Sequence, residues 1–429
     1  LDVIITCSIF IVCYLFIITE KLNRALVACS GGVLMVIMRI VDVSDLFETY
    51  IDWHTISLLF SMMIIVSITS QTGVFEYIAI KLAQYVHGGP ILLLVISSTL
   101  TAIGSAFLDN VTTVLLFVPI VVKLTDILKL PAIPFLIVSI LFANIGGTAT
   151  LIGDPPNIMI GQAVSHLSFN DFLYHLAPIV CVIFASVLTA VIIIYRNQLQ
   201  VSDMHRRQLM AIHAGDYLII NSVLFKSLAI LMMTIAGFMM HPVINIDMTT
   251  VAMAGALLLL LVTYHDVSFD SVFRHIDWIT LFFFIGLFML VGGLTEIGII
   301  DEIAKQVIFY TKGDLPKTAL LILWGSGILS GFVDNIPFVA AMIPVIKEFQ
   351  EFGVNNLNPL WWSLALGSCL GGNATLIGAS ANVIVAGMSQ QTGKPISFLG
   401  FMKVGIPVVL FSLIVATIYV YFRYLIHYY

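Results

Sequence analysis

Two Asp-Asn pairs sit inside apolar sequence, in FLDNVTTVLLFVPI at 107–120 and FVDNIPFVAAMIPV at 332–345. An ionisable side chain at membrane depth costs roughly 2.5–3.5 kcal/mol on insertion scales, so each acid needs a partner and a chemical reason to be there. The two strings are 225 positions apart. The same interval carries NIGGTATLIGDPPN (144–157) onto CLGGNATLIGASAN (369–382), and IDW at 51–53 onto IDW at 276–278. A constant interval over so much chain means one unit present twice, as in many transporters.

The candidate polar lining of the first copy is Asp109, Asn110, Thr112, Thr113, Thr148, Thr150, Asp154 and Asn157. The second copy offers Asp334, Asn335, Asn373, Thr375, Ser380 and Asn382. Gly146, Gly147, Gly153, Gly371, Gly372 and Gly378, with Pro155 and Pro156, mark breaks in helical geometry. Broken backbone in lipid is tolerated only where protein or water satisfies it, so these breaks are expected to face one another inside the molecule. Freed carbonyls suit hard cations, and half-helix N-termini suit anions. The copies differ where it matters: Asp154 aligns with Ala379, and Thr113 with Phe338. Three buried carboxylates result, and competition between a proton and a cation for one of them is enough for antiport. Asp109, Asn110 and Asp154, with the carbonyls of 146–153, form one expected ion site; Asp334, Asn335 and Asn382 form the other. Sodium is the expected ion at Asp109, Asn110, Asp334 and Asn335.

Plainer roles compete with these. Asp109 and Asp334 could cap the helices that follow them, and the glycines and prolines could simply kink packed helices. Asp52-Trp53 and Asp277-Trp278 read as interfacial anchors, with His54 a surface neighbour. The 17 Met and 29 Phe fit packing and lipid-facing roles. Cys369 abuts the second Gly-Gly break, where a contact with a soft ligand is a minor option.

The elements that must position these residues follow from composition. The 429 residues are 60% hydrophobic and 10% charged, with a mean hydropathy of +1.08, far from a soluble domain. The class is an all-α polytopic membrane protein. No basic patch suggests nucleic acid, and Cys7, Cys13, Cys29, Cys181 and Cys369 lack metal-ligand spacing. No cleavable signal is visible, and because Leu1 opens almost inside a span without a Met, upstream residues are expected.

Repeat 1 covers 1–196: scaffold helices within 1–72, an amphipathic arm at 74–87, a hairpin at 90–128, a broken helix at 131–165 and a helix at 172–196. A linker occupies 197–221. Repeat 2 covers 222–425: scaffold helices within 222–296, an arm at 299–311, a hairpin at 316–350, a broken helix at 359–390 and a helix at 400–423. Re-entrant hairpins with Asp-Asn at the tip leave five crossings per copy, about 10 in all. An odd count inverts one copy relative to the other. Lys21, Arg24, Lys81, Lys123, Lys129, Arg196, Arg206, Arg207, Lys226, Arg274, Lys394 and Lys403 then share one face. Arg39, Lys305, Lys312, Lys317, Lys347 and Arg423 take the other. The positive-inside rule makes the richer face, with the linker, cytoplasmic. Leu1 and Tyr429 then both lie outside.

The strings at 107–113, 144–157, 334–338 and 369–382 resemble those of the ion transporter superfamily, which holds arsenite-efflux permeases, sodium–proton antiporters and divalent-anion/sodium symporters. They are most similar to the branch of the melanosomal P protein, and the resemblance spans nearly the whole chain. It implies scaffold and transport domains, re-entrant hairpins, a homodimer and elevator-type movement. The dicarboxylate symporters carry Ser-Asn-Thr at each tip, where this chain has Asp109-Asn110-Val111 and Asp334-Asn335-Ile336, which would repel a substrate carboxylate unless protonated or cation-bound. The sodium–proton antiporters look like DNLTT followed by an IGD element, matched here by Asp109, Asn110, Thr112, Thr113 and Asp154; the Pro-Pro-Asn after Asp154 departs from them.

The expected function is secondary-active, sodium- or proton-coupled transport across the cytoplasmic membrane by alternating access, cation/proton antiport foremost. Arsenite or oxyanion efflux, di- or tricarboxylate transport and an ion channel are the alternatives. An enzyme is not expected, since no nucleophile–base pair or metal set is present. No cofactor is expected beyond transported or coupling Na+ or H+. The partners are the lipid bilayer and a small ion or small-molecule substrate.

Overall fold

The computed structural model describes residues 2–19, 22–351, 353–354, 356–391, 393 and 395–426, so Leu1, Lys21, Lys394 and Tyr429 of the sequence reading lie outside the described residues. The described residues form helices and connecting turns, with no strand among them. In the first copy these are α1 (Asp2–Thr19), α2 (Arg24–Ile37), α3 (Trp53–Ser70), α4 (Val74–Tyr85), α5 (Pro90–Leu108), α6 (Asn110–Leu128), α7 (Ala132–Gly147), α8 (Pro155–Ala163) and α9 (Phe169–Tyr195). The linker carries α10 (Asp203–Met210). The second copy supplies α11 (Ser222–Ile244), α12 (Met248–Val262), α13 (Trp278–Glu296), α14 (Ile299–Thr311), α15 (Leu315–Phe332), α16 (Asn335–Glu351), α17 (Asn358–Gly371), α18 (Ser380–Gln391) and α19 (Phe398–Val420). Each helix from α11 to α19 answers one from α1 to α9 at the sequence interval.

Eight helices among the described residues are long and apolar enough to cross a membrane. These include α5, α6 and α15, legs of the two hairpins, and α3, α9, α11, α13 and α19. The local signals that start the helices are repeated too. Asp52 caps α3 by accepting from the Thr55 backbone N–H (3.2 Å) and hydroxyl (2.6 Å). Asp277 caps α13 through Thr280 in the same way (3.0 and 2.6 Å). Trp53 and Trp278 each donate from Nε1 to a carbonyl just upstream, of Phe47 and Phe273, which is how an anchor at a membrane interface satisfies its one polar atom.

Packing shows how the copies are related. α2 lies along α13 in the same direction: Ala28 meets Gly286, Gly32 meets Met289, and Met35 meets Gly293. α3, the counterpart of α13, runs against it. Its C-terminal Ser67 and Gln71 bond to Val272 and Ser271, just before α13 begins, whereas Tyr50, just before α3, packs on Gly292 near the end of α13. Equivalent helices therefore point opposite ways, and the repeats are inverted. The cross-pairings are reciprocal as well, α2 with α13 and α12 with α3, α6 with α18 and α16 with α8, as a two-fold relation requires.

The hairpins enter from opposite faces. The base of α5–α6 lies at the linker, where Lys123 of α6 bonds to the Tyr217 hydroxyl and Gln84 of the preceding α4 donates to the carbonyls of Leu209 and Ile212. The base of α15–α16 lies across the molecule, where Lys347 shares a cavity with Asp52 and His54. There Asp314 caps α15, and hydrogen bonds from Lys317 hold its carboxyl below the usual carboxylate range. Each broken helix is clamped to its hairpin at a glycine. A β-carbon on Gly146 would collide with the Ala102 backbone of α5, and one on Gly371 with the Gly327 backbone of α15. Such small-residue contacts let backbones approach closely where lipid offers no hydrophobic drive.

Inversion has a direct test, because His54 and Ile279 occupy equivalent positions in the two copies. Cysteines placed at each should react with an impermeant maleimide from opposite faces of sealed vesicles. Labelling of both from one face would mean parallel repeats.

Candidate functional site

Four half-helix N-termini, those of α6, α8, α16 and α18, converge on one buried layer. Asp154 stands there immediately before α8, with no measurable exposure. Its carboxylate accepts from Asn110 Nδ2 at 3.2 Å and from Asn335 Nδ2 at 3.3 Å, so both hairpin tips reach the same acid. The described ion pairs do not include Asp154 or Asp109.

Around this contact lies a net of amides. Asn110 also donates to Asn144 Oδ1 (3.2 Å), and Asn144 donates to Asn373 Oδ1 and Asn382 Oδ1, both at 2.9 Å. Asn373 passes the chain on to the Leu141 carbonyl (3.2 Å). Across the pseudo-axis, Cys369 takes the place of Asn144, and its Sγ lies 3.5 Å from Asn157 Oδ1. Asn110 Oδ1 and Thr113 Oγ1 are buried without a hydrogen-bond partner.

The two unwound loops are stapled rather than loose. Asn157 donates to the carbonyls of Thr148 (3.2 Å) and Thr150 (2.9 Å), and Asn382 to those of Gly372 (2.7 Å) and Thr375 (2.9 Å). Thr148 bonds back to the Asn144 carbonyl. Thr150 reaches the Ala106 carbonyl of the first hairpin, and Thr375 the Gly331 carbonyl of the second. Gly147 and Gly153 bring their backbones together, as do Gly372 and Gly378. These staples meet the need of every non-helical backbone group in lipid for a partner.

The two tip acids are not alike. Asp109 accepts from the Thr112 backbone N–H (2.8 Å) and hydroxyl (2.6 Å), so it caps α6. Its backbone sits at φ 77°, ψ 160°, a region nearly confined to glycine that costs a side-chain-bearing residue about 1–3 kcal/mol. Asp334 instead pairs with Arg24 Nη1 at 2.9 Å and accepts from Ser380 Oγ at 3.0 Å. Arg24 bonds further to Ser380 and, through Nη2, to Thr280 Oγ1 at 3.0 Å.

Asp154, Asn110, Asn335, Asn373 and Asn382 thus share one cluster, while Asp334 and Ser380 form a second with Arg24. Thr112 belongs to the cap. Thr148, Thr150, Asn157 and Thr375 hold loops, and Gly146 and Gly371 set helix spacing. Asn144, Arg24 and Thr280 were missed from sequence. Asn144 opens the NIGG string as the one amide in an apolar helix, a signal that was available; Arg24 looked like an ordinary flanking charge.

Cavities approach this layer from both faces. One of about 520 Å³ lies between α8, α16 and the start of α3, lined by Asp52, His54, Gln162 and Lys347 among others. One of about 290 Å³ lies on the linker face, lined by Arg24, Asp277, Ile279, Ser380 and neighbouring apolar residues.

The family model described as citrate transporter (CitMHS) matches residues 14–367. The 46 kDa membrane protein of Mycobacterium leprae is 38% identical over 428 residues, covering 99% of each chain. The P protein of Mus musculus is 32% identical over 488 residues, covering 95% of this chain and 58% of its own length. Among solved structures, the YdaH transporter of Alcanivorax borkumensis aligns with a TM-score of 0.58 at 11% identity, covering 92% of this chain and 95% of the other. MtrF of Neisseria gonorrhoeae aligns at 0.51 and 10% identity, covering 98% and 94%. These two likenesses concern the fold.

The amide net predicts a stability effect. Asn144→Ala removes the donor to Asn373 Oδ1 and Asn382 Oδ1 and one acceptor of Asn110, at about 1–3 kcal/mol for each group left unpaired. Thermal unfolding in detergent should shift down by several degrees, and an unchanged midpoint would mean the net carries no such load.

Proposed function

Because the chain belongs to the citrate transporter family and is an integral, multi-pass membrane transporter, we propose that it is a secondary-active carrier whose flux is coupled to sodium or protons through Asp154. One observation carries this reading. Three of the four half-helix N-termini at the central layer are preceded by the protein's own carboxylate, Asp109 before α6, Asp154 before α8 and Asp334 before α16. Those are the positions at which a transported anion would otherwise dock. With anion places taken by acids, the mobile species that fits is positive.

Asp109 and Asp334 have partners that spend their charge locally, Thr112 and Arg24. Asp154 has two neutral amides, the neutral Cys369 thiol and the dipole of α8. Charged hydrogen bonds and a helix N-terminus together offset only part of the several kcal/mol that burying a carboxylate costs. A proton or a hard cation supplies the rest. Asn110 Oδ1, buried and unpaired on the side chain that touches Asp154, is an oxygen of the kind sodium takes.

Alternating access by movement of the hairpins against the α2–α3 and α12–α13 scaffold belongs to the same proposal, as do a homodimer and a cytoplasmic linker face. The excess of Lys and Arg on the linker face supports that orientation.

An organic-anion reading has its own observation. The fourth terminus, that of α18, follows Ala379 rather than an acid, and Ser380 and Arg24 line the smaller cavity beside it. The description of the family model, citrate transporter, agrees with that reading.

Purified protein in proteoliposomes distinguishes them. On the cation reading, flux follows sodium or proton gradients and falls at least about a hundredfold in Asp154→Asn, while Asp109→Asn, which keeps an acceptor for the cap, loses less. Citrate-driven flux that survives Asp154→Asn at full rate would favour the anion reading.

A further inference from the structure

We propose that Arg24 is a built-in competitor of the transported cation for Asp334, available to that carboxylate in only one of the carrier's end states. The proposal rests on the cation-coupled reading above.

Arg24 opens α2, an element of the scaffold packed along α13, whereas Asp334 sits at the tip of the second hairpin. Their ion pair (2.9 Å) therefore crosses the boundary between two parts that must move relative to each other if access is to alternate. The guanidinium has further partners: it donates to Ser380 Oγ and Thr280 Oγ1, and its carbon lies 5.0 Å over the Phe283 ring. Both partners are largely buried, with side-chain exposures of 19% and 10%. A guanidinium stays charged at any physiological pH, so it satisfies a carboxylate as a bound cation would.

The inverted repeat shows that this contact is specific to one face. The counterpart of Arg24 is the neutral Met248, because the matched N-caps Asn23 and Asp247 and the DVS strings at 42–44 and 266–268 lie 224 positions apart. The counterpart of Asp334 is Asp109, which is absent from the described ion pairs and turned to Thr112. The cavities depart from two-fold symmetry in the same sense. The wide one, about 520 Å³, opens at His54, and the narrow one, about 290 Å³, at Ile279 beside Arg24.

A tethered competitor acts at a high effective concentration where it reaches and at none where it does not. When the tip lies at the linker face, Arg24 displaces the cation from Asp334 and promotes its release there. When the tip moves away, no guanidinium follows, and Asp334 must take a cation from the opposite side. The pair lowers cation affinity on the linker face without a second binding site.

The test uses sodium as the probe in oriented proteoliposomes, with the parent protein, Arg24→Gln and Arg24→Lys. In Arg24→Gln the half-saturating sodium concentration on the linker face should fall by about tenfold and that on the other face should stay within about twofold. Net sodium flux toward the linker face should fall several-fold, because release there is impaired. Arg24→Lys should restore part of both. Should Arg24→Gln fail to fold, Thr280→Val, which removes one of the guanidinium's partners, should shift the linker-face value in the same direction by less. Equal shifts on both faces, or an unchanged linker-face value, would overturn the Arg24 proposal while leaving cation coupling intact. A parent protein with neither sodium- nor proton-dependent flux would overturn the coupling reading, and this proposal with it.

Discussion

A carboxylate that no water reaches must be met by something else, and Asp154 is such a carboxylate. Its two amide partners come from hairpins that enter the molecule from opposite faces, so both amides reach the acid only where both tips arrive together. That requirement reaches outward through the fold. Helices must break at the centre to present their N-termini, the broken backbone must be stapled by Asn157 and Asn382, and α7 and α17 must lie close enough to the hairpins that only glycine fits at 146 and 371. None of these features stabilises a helix locally. Each makes sense only as support for a charge in lipid.

Two-fold repetition builds this frame, and the departures from it give the frame a use. Asn157 and Asn382 keep the same role in both halves. Where the halves differ, the chemistry changes: Asp154 corresponds to Ala379, Asn144 to Cys369, and Arg24 to Met248. A perfectly symmetric pair of copies would place equivalent groups on both faces and would favour neither direction. The single acid shared by both tips, and the Arg24 guanidinium paired with one tip only, make the two halves of a repeated scaffold chemically unlike.

Much of this was legible in the sequence because membrane structure leaves few options. Apolar runs locate helices, and Gly-Gly and Gly-Asp-Pro-Pro interruptions locate breaks. A constant interval of 225 positions reveals the duplication. Inversion followed from counting crossings, and the packing of α3 against α13 in opposite directions agrees with it. Spatial partnership was not legible. Periodicity does not say that Asn144 bonds to residues well over 200 positions away, nor that Arg24 turns inward to Asp334. The sequence reading gave Asp154 to the first copy alone, while the structure sets it between both tips. Such partners are chosen by tertiary geometry, and an isolated Arg at the start of a span reads like any interfacial charge.

The most direct measurement of the central claim is equilibrium binding of radioactive sodium to purified protein, with and without Asp154. The account predicts saturable binding that protons displace, lost in Asp154→Asn although the folded protein is retained. Equal binding by Asp154→Asn and the parent would contradict it.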